Sequence, residues 1–525
     1  MAAFTQDDVL AALAKPEMHG GQCVTRIETH AAVVFLSADR ALKVKKAVRF
    51  PFLDYSTLAQ RKSACEAELA INRLFAPQLY RRVIPICETP DGRIEIDGSG
   101  RVIEWAVEMN RFDERSTLDK LAERNQLTEA LAMQLADTIL SAHDKAPVAK
   151  DDSWIARLKT YIEQNRDELL SASFFEKPEV LKLTARSIEW YDNVLPLLRR
   201  RAQEQFGRRC HGDLHLGNIA LIDGAPILFD AIEFDPAIAT GDVLYDLAFL
   251  LMDLVEREQH SIANIVLNRY LSRAGEISHY EALAALPLFL SLRAAIRAKV
   301  TAARARSASE SKERAAIRHQ ASDYFKLAWG LLSPPKPVLI AIGGLSGTGK
   351  SLLARMLAPD VGPVPGAVVL RSDVIRKQLS GVPETERLKA ERYERTVTEV
   401  VYENLASTAF STVSAGHSAI ADAVFADVHE RRQIARAAGD AGVRFIGLFL
   451  EADLQTRLAR VGARIGDASD ATPSVVLKQE AYPLEDLEWR IIDASGTPDQ
   501  TLESARRILT CLNIGNSDRQ YLSRH

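Results

Sequence analysis

A glycine-rich stretch directly behind a short apolar run constrains the fold of this 525-residue chain more than any other feature. Residues 344–351 fit the pattern G-x-x-x-x-G-K-[ST], and residues 338–342 before them are apolar and rich in β-branched side chains. Glycines let backbone N–H groups wrap phosphate oxygens, and the N-terminus of the helix expected after the loop adds a positive partial charge. In this pattern Lys350 reaches the β- and γ-phosphates, and the hydroxyl of Ser351 binds Mg²⁺. The predicted nucleotide-binding residues of the loop are Gly344, Ser346, Gly347, Thr348, Gly349, Lys350 and Ser351.

The residues that follow this loop alternate between short apolar runs and helix-like segments. Five such runs separated by helical patterns predict a doubly wound α/β domain with a five-stranded parallel sheet. Ligands of such sheets bind at the carboxyl ends of the strands. Because Asp373 and Asp422 stand at the ends of two of these runs, we expect both carboxylates near the phosphate loop.

Charged residues of this C-terminal half have spacings that suit phosphoryl transfer. Asp373 can accept a proton from an acceptor hydroxyl, and Arg376, about one helical turn later, can hold an anionic acceptor or the transferred phosphoryl group. Three further arginines share one predicted helix face and can close over the phosphates. They are Arg457, Arg460 and Arg464.

Simpler interpretations of the same residues remain open. An aspartate at the end of a strand is often a helix N-cap, and a row of arginines is often a solvated helix face. Asp422 could bind a water molecule of the Mg²⁺ shell or cap the helix that follows it.

These residues resemble the small-molecule and polynucleotide kinase branch of P-loop proteins, which has an Asp-x-x-Arg acceptor site and an arginine-bearing lid. The resemblance implies that Asp373 is the base and that Arg376 clamps the acceptor. It also makes the three later arginines lid candidates.

A second catalytic pattern lies in the N-terminal half. Residues 211–218 fit H-x-D-x-x-x-x-N, and two strand-like runs joined by a turn then end at Asp230. Asp213 is placed to accept the proton of a substrate hydroxyl, while Asn218 and Asp230 can hold Mg²⁺ against the phosphates. His211 would brace the loop rather than take part in the reaction.

This segment resembles the aminoglycoside phosphotransferase family, a branch of the protein-kinase-like fold, over about residues 25–300. The later G-D-x-x-x-D-L-A stretch of the family matches residues 241–248 and implies that Asp246 supports the catalytic loop structurally. The continuation through Glu233 and Asp235 has no protein-kinase counterpart.

The lysine of the first nucleotide site has two candidates, Lys43 and Lys45, which point to the same face of a predicted strand. Lys43 fits the family's A-x-K pattern more literally and is preferred. Its acidic partner is expected on a helix over about 56–75, where Glu68 is the first choice and Glu66 the second, unless both are solvated helix charges. No G-x-G-x-x-G loop precedes Lys43, which departs from the protein-kinase pattern.

Prolines 334, 335 and 337 cannot continue a helix and mark the clearest boundary in the chain. A strand-rich lobe followed by a helical lobe comes before this boundary, in the order of a two-lobed α+β kinase. The predicted divisions are a phosphotransferase-like domain at 1–331 (small lobe about 20–112, large lobe about 113–331), a linker at 332–337, a P-loop kinase domain at 338–515 and a tail at 516–525. This order resembles the bacterial fusion proteins that join an aminoglycoside phosphotransferase-like domain to a P-loop, AAA-type ATP-binding domain.

Composition excludes several classes of protein. Apolar residues make up 47% of the chain and charged residues 26%, which is typical of globular proteins. The net charge of −4 and the lack of a basic, aromatic stripe weigh against a nucleic-acid partner. No apolar run approaches the roughly 18 residues of a membrane span, and five scattered cysteines without ligand spacing indicate a reducing compartment. We expect a soluble, cytoplasmic protein.

The leading hypothesis is an ATP- and Mg²⁺-dependent phosphotransferase with two kinase-like sites, acting on hydroxyl groups of small metabolites. One alternative makes the P-loop half a kinase of nucleotide or polynucleotide 5′-hydroxyls. Another makes one ATP site a regulatory switch for the other.

Overall fold

The computed structural model describes residues 4–50, 53–307, 310–463, 468–512 and 514. The strands are β1 Thr25–Glu28, β2 Ala32–Leu36, β3 Arg40–Lys45, β4 Arg49–Phe50, β5 Leu53–Asp54, β6 Tyr80–Glu88, β7 Ile94–Ile96, β8 Arg101–Asn110, β9 Gly207–Arg209, β10 Ile219–Ile222, β11 Ala225–Leu228, β12 Thr240–Asp242, β13 Val338–Gly344, β14 Val368–Arg371, β15 Ala419–Asp422, β16 Arg444–Glu451 and β17 Arg490–Asp493. The α-helices are α1 Gln6–Leu13, α2 Leu58–Phe75, α3 Leu118–Glu123, α4 Glu129–Lys145, α5 Ser153–Ser171, α6 Lys177–Gln203, α7 Val243–Glu256, α8 His260–Ala274, α9 Ile277–Glu281, α10 Leu286–Ser307, α11 Ser311–Leu331, α12 Lys350–Leu357, α13 Ser372–Leu379, α14 Arg395–Ser414, α15 Val428–Asp440, α16 Leu454–Gly462, α17 Pro473–Gln479 and α18 Pro498–Cys511.

These elements form two compact units. Unit 1 comprises Met1–Trp154 and Ala202–Leu250, and unit 2 comprises Ile155–Arg201 and Leu251–His525. Among the described residues, no helix combines the length and the apolar character that a membrane crossing requires.

Unit 1 is built on a six-stranded antiparallel sheet in the order β1-β2-β3-β8-β6-β7. Alternation along β3 sends Leu42 and Val44 into the core beneath α1 and turns Lys43 and Lys45 to the opposite face. On that opposite face, Cys65 of α2 shares an apolar cluster with residues of β6 and β8. The strand period therefore puts the lysines on the face that α2 covers.

The second part of unit 1 consists of helices and short paired strands. β10 pairs with β11 and β9 pairs with β12, both antiparallel. The loop between β9 and β10 contains the H-x-D-x-x-x-x-N pattern, and Asp230 is the second residue after β11. The pairing of β9 with β12 thus joins the two ends of the segment 210–239, which carries the predicted catalytic residues, and the β10–β11 hairpin lies within it.

Unit 2 contains a five-stranded sheet in the order β14-β15-β13-β16-β17, and all its pairings are parallel. This confirms the predicted doubly wound architecture. Asp422 is in register with Ile342 on one side and with Arg371 on the other. Because the strands are parallel, their polar ends meet at the edge of the sheet where β13 runs into the phosphate loop.

The edge strand of this sheet is covered by a helix from an earlier part of the chain. Asn264 and Asn268 of α8 each donate a side-chain hydrogen bond to the carbonyl of Ala367, at 3.0 and 3.1 Å. Arg269 of the same helix forms an ion pair with Glu384 at 3.1 Å. Contacts from α8 thus support β14 and the loop beyond α13, the elements that flank Asp373 and Arg376.

Candidate functional sites

A buried carboxylate on α2 contacts both candidate lysines of β3. Oε1 of Glu68 lies 2.9 Å from Nζ of Lys43, and its Oε2 lies 2.6 Å from Nζ of Lys45. Burial opposes ionisation of this carboxyl, but the charges of the two lysines lower the pKa of Glu68. Glu68 is therefore not a solvated helix charge.

The two lysines differ in their second partner. Nζ of Lys43 lies 2.5 Å from Oδ1 of Asp230, whereas Lys45 forms a short ion pair with Glu233. The other candidate acid, Glu66, lies on the exposed side of α2 and pairs with Lys62 at 3.5 Å. The arrangement favours the choice of Lys43 and Glu68, because Lys43 is the lysine beside the predicted metal ligand.

The predicted catalytic-loop residues Asp213 and Asn218 are in direct contact. Nδ2 of Asn218 donates to the backbone carbonyl of Asp213 at 2.9 Å and to its Oδ2 at 3.0 Å. His215, which the sequence did not single out, accepts from the N–H of Gly217 through Nδ1, so its Nε2 carries a proton 3.5 Å from Oδ2 of Asp213. Two side chains thus orient the carboxylate of the candidate base.

The same loop is braced from below. Asp246 accepts hydrogen bonds from the backbone N–H groups of His211 and Gly212, at 3.3 and 2.8 Å. Burial lowers the pKa of His211, which favours the neutral ring. Its Nε2 lies 2.9 Å from the carbonyl oxygen of Phe229, so Nε2 is the nitrogen that carries the proton. These contacts agree with the supporting roles expected for His211 and Asp246.

Sequence reasoning missed a second residue that shapes this site. Asn72, which is fully buried, contacts the backbone of Ala231 in the loop that carries Asp230. Its position four residues after Glu68 on a predicted helix was the available signal, because residues so spaced lie on one face.

The phosphate loop of unit 2 depends on glycine at its tightest points. Gly347 has φ 90°, and a Cβ there would lie 2.6 Å from the carbonyl oxygen of Arg457. Gly349 has φ 95° and directly precedes α12, which begins at Lys350. Nζ of Lys350 donates to the carbonyl of Leu345 at 3.2 Å, so the lysine folds over its own loop.

Three charged residues meet at the carboxyl edge of the sheet. Nε of Arg371 lies 3.4 Å from Oδ2 of Asp422, which is buried. Burial raises the pKa of Asp373; the charge of Arg371 opposes this shift and that of Asp422 adds to it. Lys350 also acts on the Asp373 carboxyl electrostatically, so the predicted base lies close to the phosphate loop.

The helix-capping interpretations do not hold for either aspartate. Asp373 lies inside the first turn of α13, and this helix has no side-chain cap. The cap of α15 is Asp427, whose side chain accepts from the N–H of His429 at 2.7 Å. Asp422 is thus left at the strand end without a capping role.

Arg376 is buried beside an aromatic ring. Its guanidinium lies 4.8 Å from the ring centre of Tyr393 and donates to the carbonyl of Arg392 and to the hydroxyl of Thr398, at 2.7 and 3.2 Å. It forms no ion pair with any residue that the structure describes, and its Nε has no hydrogen-bond acceptor there. A buried cation with this surrounding favours an anionic ligand.

Two of the three arginines that are lid candidates contact the phosphate loop instead of forming a solvated stripe. Nε of Arg457 donates to the carbonyl of Ser346 at 3.0 Å, and its side chain is buried. Arg460 donates to the carbonyl of Thr348 in the loop at 3.5 Å and to the carbonyls of Ala494 and Gly496, both at 2.8 Å. Arg464 lies outside the described residues.

A cavity of about 340 Å³ adjoins the phosphate loop. Its lining includes Gly349, Ser351, Arg460, Pro498 and Thr501. The cavity lies next to the loop that is expected to hold phosphates and offers a guanidinium and a proline ring at its wall.

Two family models match this chain. The model described as "Phosphotransferase enzyme family" covers residues 33–286, and the model described as "AAA domain" covers residues 339–483. An uncharacterised protein of Mycobacterium tuberculosis strain H37Rv is 28% identical over 493 residues, which cover 92% of this chain and 94% of that protein. An uncharacterised protein of Mycobacterium bovis matches with the same values.

The solved structures that are similar to parts of this chain include kinases. A choline/ethanolamine kinase family protein from Mesorhizobium loti is 14% identical, with a TM-score of 0.37, over 62% of this chain and 94% of that one. A gluconokinase from Sinorhizobium meliloti is 17% identical, with a TM-score of 0.24, over 34% of this chain and 96% of that one.

The two family models confirm the expected combination of domains. A phosphotransferase-family kinase domain and a P-loop kinase domain occur in this order in one chain. The protein is a kinase, and its two domains and their order match the fusion family that joins an aminoglycoside phosphotransferase-like domain to a P-loop, AAA-type ATP-binding domain.

Proposed function

We propose that this kinase uses ATP and Mg²⁺ at two sites, each of which transfers the γ-phosphoryl group to a hydroxyl of a small metabolite. The observation that carries the proposal is the same in both units. In each, an aspartate able to take a hydroxyl proton belongs to the same cluster as a lysine suited to the triphosphate. In unit 1, Lys43 contacts Asp230, and the charges of Asp230 and Asp213 both act on His211; in unit 2, the charge of Lys350 acts on Asp373. General-base and phosphate-binding groups are the parts that phosphoryl transfer requires of a protein.

The residues present fit the nucleotide and the metal. At Gly349 an added Cβ would meet only Nη1 of Arg460, at 4.0 Å, so the mouth of the loop has room for phosphate oxygens. Ser351 and Asp422 in unit 2, and Asn218 and Asp230 in unit 1, supply the oxygen ligands that Mg²⁺ prefers. When bound, Mg²⁺ would neutralise charge on the β- and γ-phosphates.

In unit 1, Asp213 would accept the proton of the acceptor hydroxyl. Asn218 and His215 hold its Oδ2, which favours proton acceptance at Oδ1. Lys43, fixed by Glu68, would contact the phosphates. Its contact with Asp230 would then be exchanged for one with the nucleotide, because both the lysine and the carboxylate are needed there.

In unit 2, Asp373 would act as the base and Arg376 as the acceptor clamp. The raised pKa of Asp373 makes its carboxylate a better proton acceptor. The buried guanidinium of Arg376 favours an acceptor with an anionic group, such as a carboxylate or a phosphate. Arg460 and Pro498 at the wall of the adjoining cavity suit a planar base, since a guanidinium stacks on aromatic faces.

A screen for the acceptor tests this function. The protein is incubated with ATP, Mg²⁺ and a bacterial metabolite extract, alongside the variants Asp213→Asn and Lys350→Ala, and products are identified by mass spectrometry. We expect metabolites that gain a phosphoryl group, each lost in one of the two variants.

A parallel reaction with a 5′-hydroxyl oligonucleotide tests the polynucleotide alternative. If nothing gains phosphate while both sites still bind ATP, the small-molecule function is contradicted and a regulatory nucleotide site becomes the better explanation.

A further inference from the structure

The loop that carries Asp230 is gripped by the side chain of a buried helix residue. Oδ1 of Asn72 accepts from the N–H of Ala231 at 2.8 Å, and Nδ2 of Asn72 lies 3.4 Å from the carbonyl oxygen of the same residue. The amide of Asn72 thus pairs with both backbone groups of Ala231, much as a neighbouring strand would. Asn72 lies one turn beyond Glu68 on α2, so one helix face touches both candidate lysines of β3 and the Asp230 loop.

The residues on either side of Ala231 are held as well. The N–H of Asp230 donates to the hydroxyl of Tyr80 at 3.2 Å. The N–H of Ile232 donates to the carbonyl of His211 at 3.0 Å, and the carbonyl of Ile232 accepts from the guanidinium of Arg209, also at 3.0 Å. Three consecutive residues therefore have backbone partners outside the loop, and Asp230 keeps its unusual φ of 61° within this framework.

The far end of the loop is tied by charge. Glu233 forms a buried ion pair with Lys45 and accepts a hydrogen bond from the Tyr55 hydroxyl at 3.0 Å. Lys45 in turn holds the second carboxylate oxygen of Glu68. When Lys43 exchanges Asp230 for the phosphates, Lys45 still joins Glu68 to Glu233, so the loop does not lose its attachment.

We propose that Lys45, Asn72 and Glu233 are positioning residues that fix the Asp230 loop to α2 before the nucleotide binds. The proposal rests on the role of Asp230 as a Mg²⁺ ligand in the proposed function. Residues that orient a metal ligand influence metal affinity strongly, although they do not touch the metal. The second lysine and its acid are thus assigned to this attachment rather than to the phosphates.

The test uses the full chain with Lys350→Ala in every sample, so that the site of unit 1 is measured alone. Calorimetry gives the affinity for the ATP analogue AMPPNP with Mg²⁺ and with EDTA, and for adenosine. The variants are Glu233→Gln and Asn72→Leu, the second of which leaves every charge of the cluster in place. Lys62→Met, on the exposed side of α2, is the matched control.

We expect the gain in AMPPNP affinity that Mg²⁺ provides to fall about tenfold or more in both variants, with adenosine binding unchanged. Amide hydrogen exchange of residues 230–233 in the nucleotide-free protein should become faster in both. The control should keep the Mg²⁺-dependent gain and the slow exchange.

An unchanged gain in both variants, or an equal loss for AMPPNP and adenosine, would overturn the positioning role. One other result would count against the proposed function rather than against the positioning role. If the Lys350→Ala parent binds AMPPNP no more tightly with Mg²⁺ than with EDTA, Asp230 is not a metal ligand. Hydrogen exchange would then decide separately whether Asn72 and Glu233 hold the loop.

Discussion

The side-chain oxygen of Asn268 accepts a hydrogen bond from the backbone N–H of Val369 at 2.6 Å, across 101 residues of sequence. Its amide nitrogen donates to the carbonyl of Ala367 at 3.1 Å. A helix within the stretch matched by the phosphotransferase family therefore pairs with the edge strand of the P-loop sheet. Sheet edges carry unpaired backbone groups that proteins cover in this way.

Replacing Asn268 should loosen this edge. Asn268→Leu leaves the backbone N–H of Val369 without its acceptor, which costs about 1–3 kcal/mol in the free energy of unfolding, whereas the carbonyl of Ala367 keeps its hydrogen bond from Asn264. Hydrogen exchange of residues 368–371 should accelerate while that of β13 changes little. Asn404→Leu, at an exposed position on α14, is the control, and equal exchange in both variants would contradict the pairing.

Lys350→Ala should abolish one of two nucleotide sites. The lysine ammonium is the only side-chain cation in the 344–351 motif, and the triphosphate charge binds poorly without it. Calorimetry with AMPPNP and Mg²⁺ should give a stoichiometry of two for the wild-type protein and one for the variant. Lys336→Ala in the proline-rich segment should keep both sites, and a loss of both in Lys350→Ala would mean that the sites are not independent.

Asp213→Asn should separate binding from transfer in unit 1. The amide cannot accept a hydroxyl proton, so transfer to the acceptor of this site should fall about 100-fold or more. Nucleotide affinity should be retained, because the lysine and metal-binding groups are untouched. Unchanged transfer would exclude Asp213 as the base.

Contiguous motifs made much of this architecture predictable. Residues 344–351 form one loop, and Asp213 and Asn218 lie on another. In each motif the residues are close in sequence because a single loop must bring them together. The five-stranded parallel sheet followed from the alternation of apolar runs and helices. The sequence pattern was therefore most informative where chemistry and local periodicity coincide.

Long-range contacts account for what the sequence did not reveal. Lys43 and Lys45 share a strand face, and Glu68 has two oxygens, so both lysines bind the same acid. Arg457 lies against the phosphate loop because Gly347 allows its backbone to approach closely. The attachment of Asn72 to Ala231 spans 159 residues. Helical spacing puts Asn72 on the face of Glu68, but it does not identify Ala231 as the partner, since that contact depends on how separate elements pack.

The last prediction concerns the dependence of stability on pH. Burial raises the pKa of Glu430 on α15 to about 7; the nearby Asp427 charge contributes, whereas the Tyr402 hydroxyl and the charge of Arg431 oppose the shift. The folded protein keeps Glu430 protonated at pH values where the unfolded chain has lost this proton. Protonated Glu430 therefore makes its full contribution to the free energy of unfolding below about pH 4.5. This contribution is lost as the pH rises through 7.

Glu430→Gln should therefore stabilise the protein at pH 8 by up to about 3 kcal/mol and change little at pH 4.5. Urea unfolding of both proteins at the two pH values measures the difference. Glu403→Gln, at an exposed position on α14, should show no such dependence. If the glutamine variant differed from the wild-type protein equally at both pH values, the effect would come from packing rather than from the ionisation of a buried carboxyl.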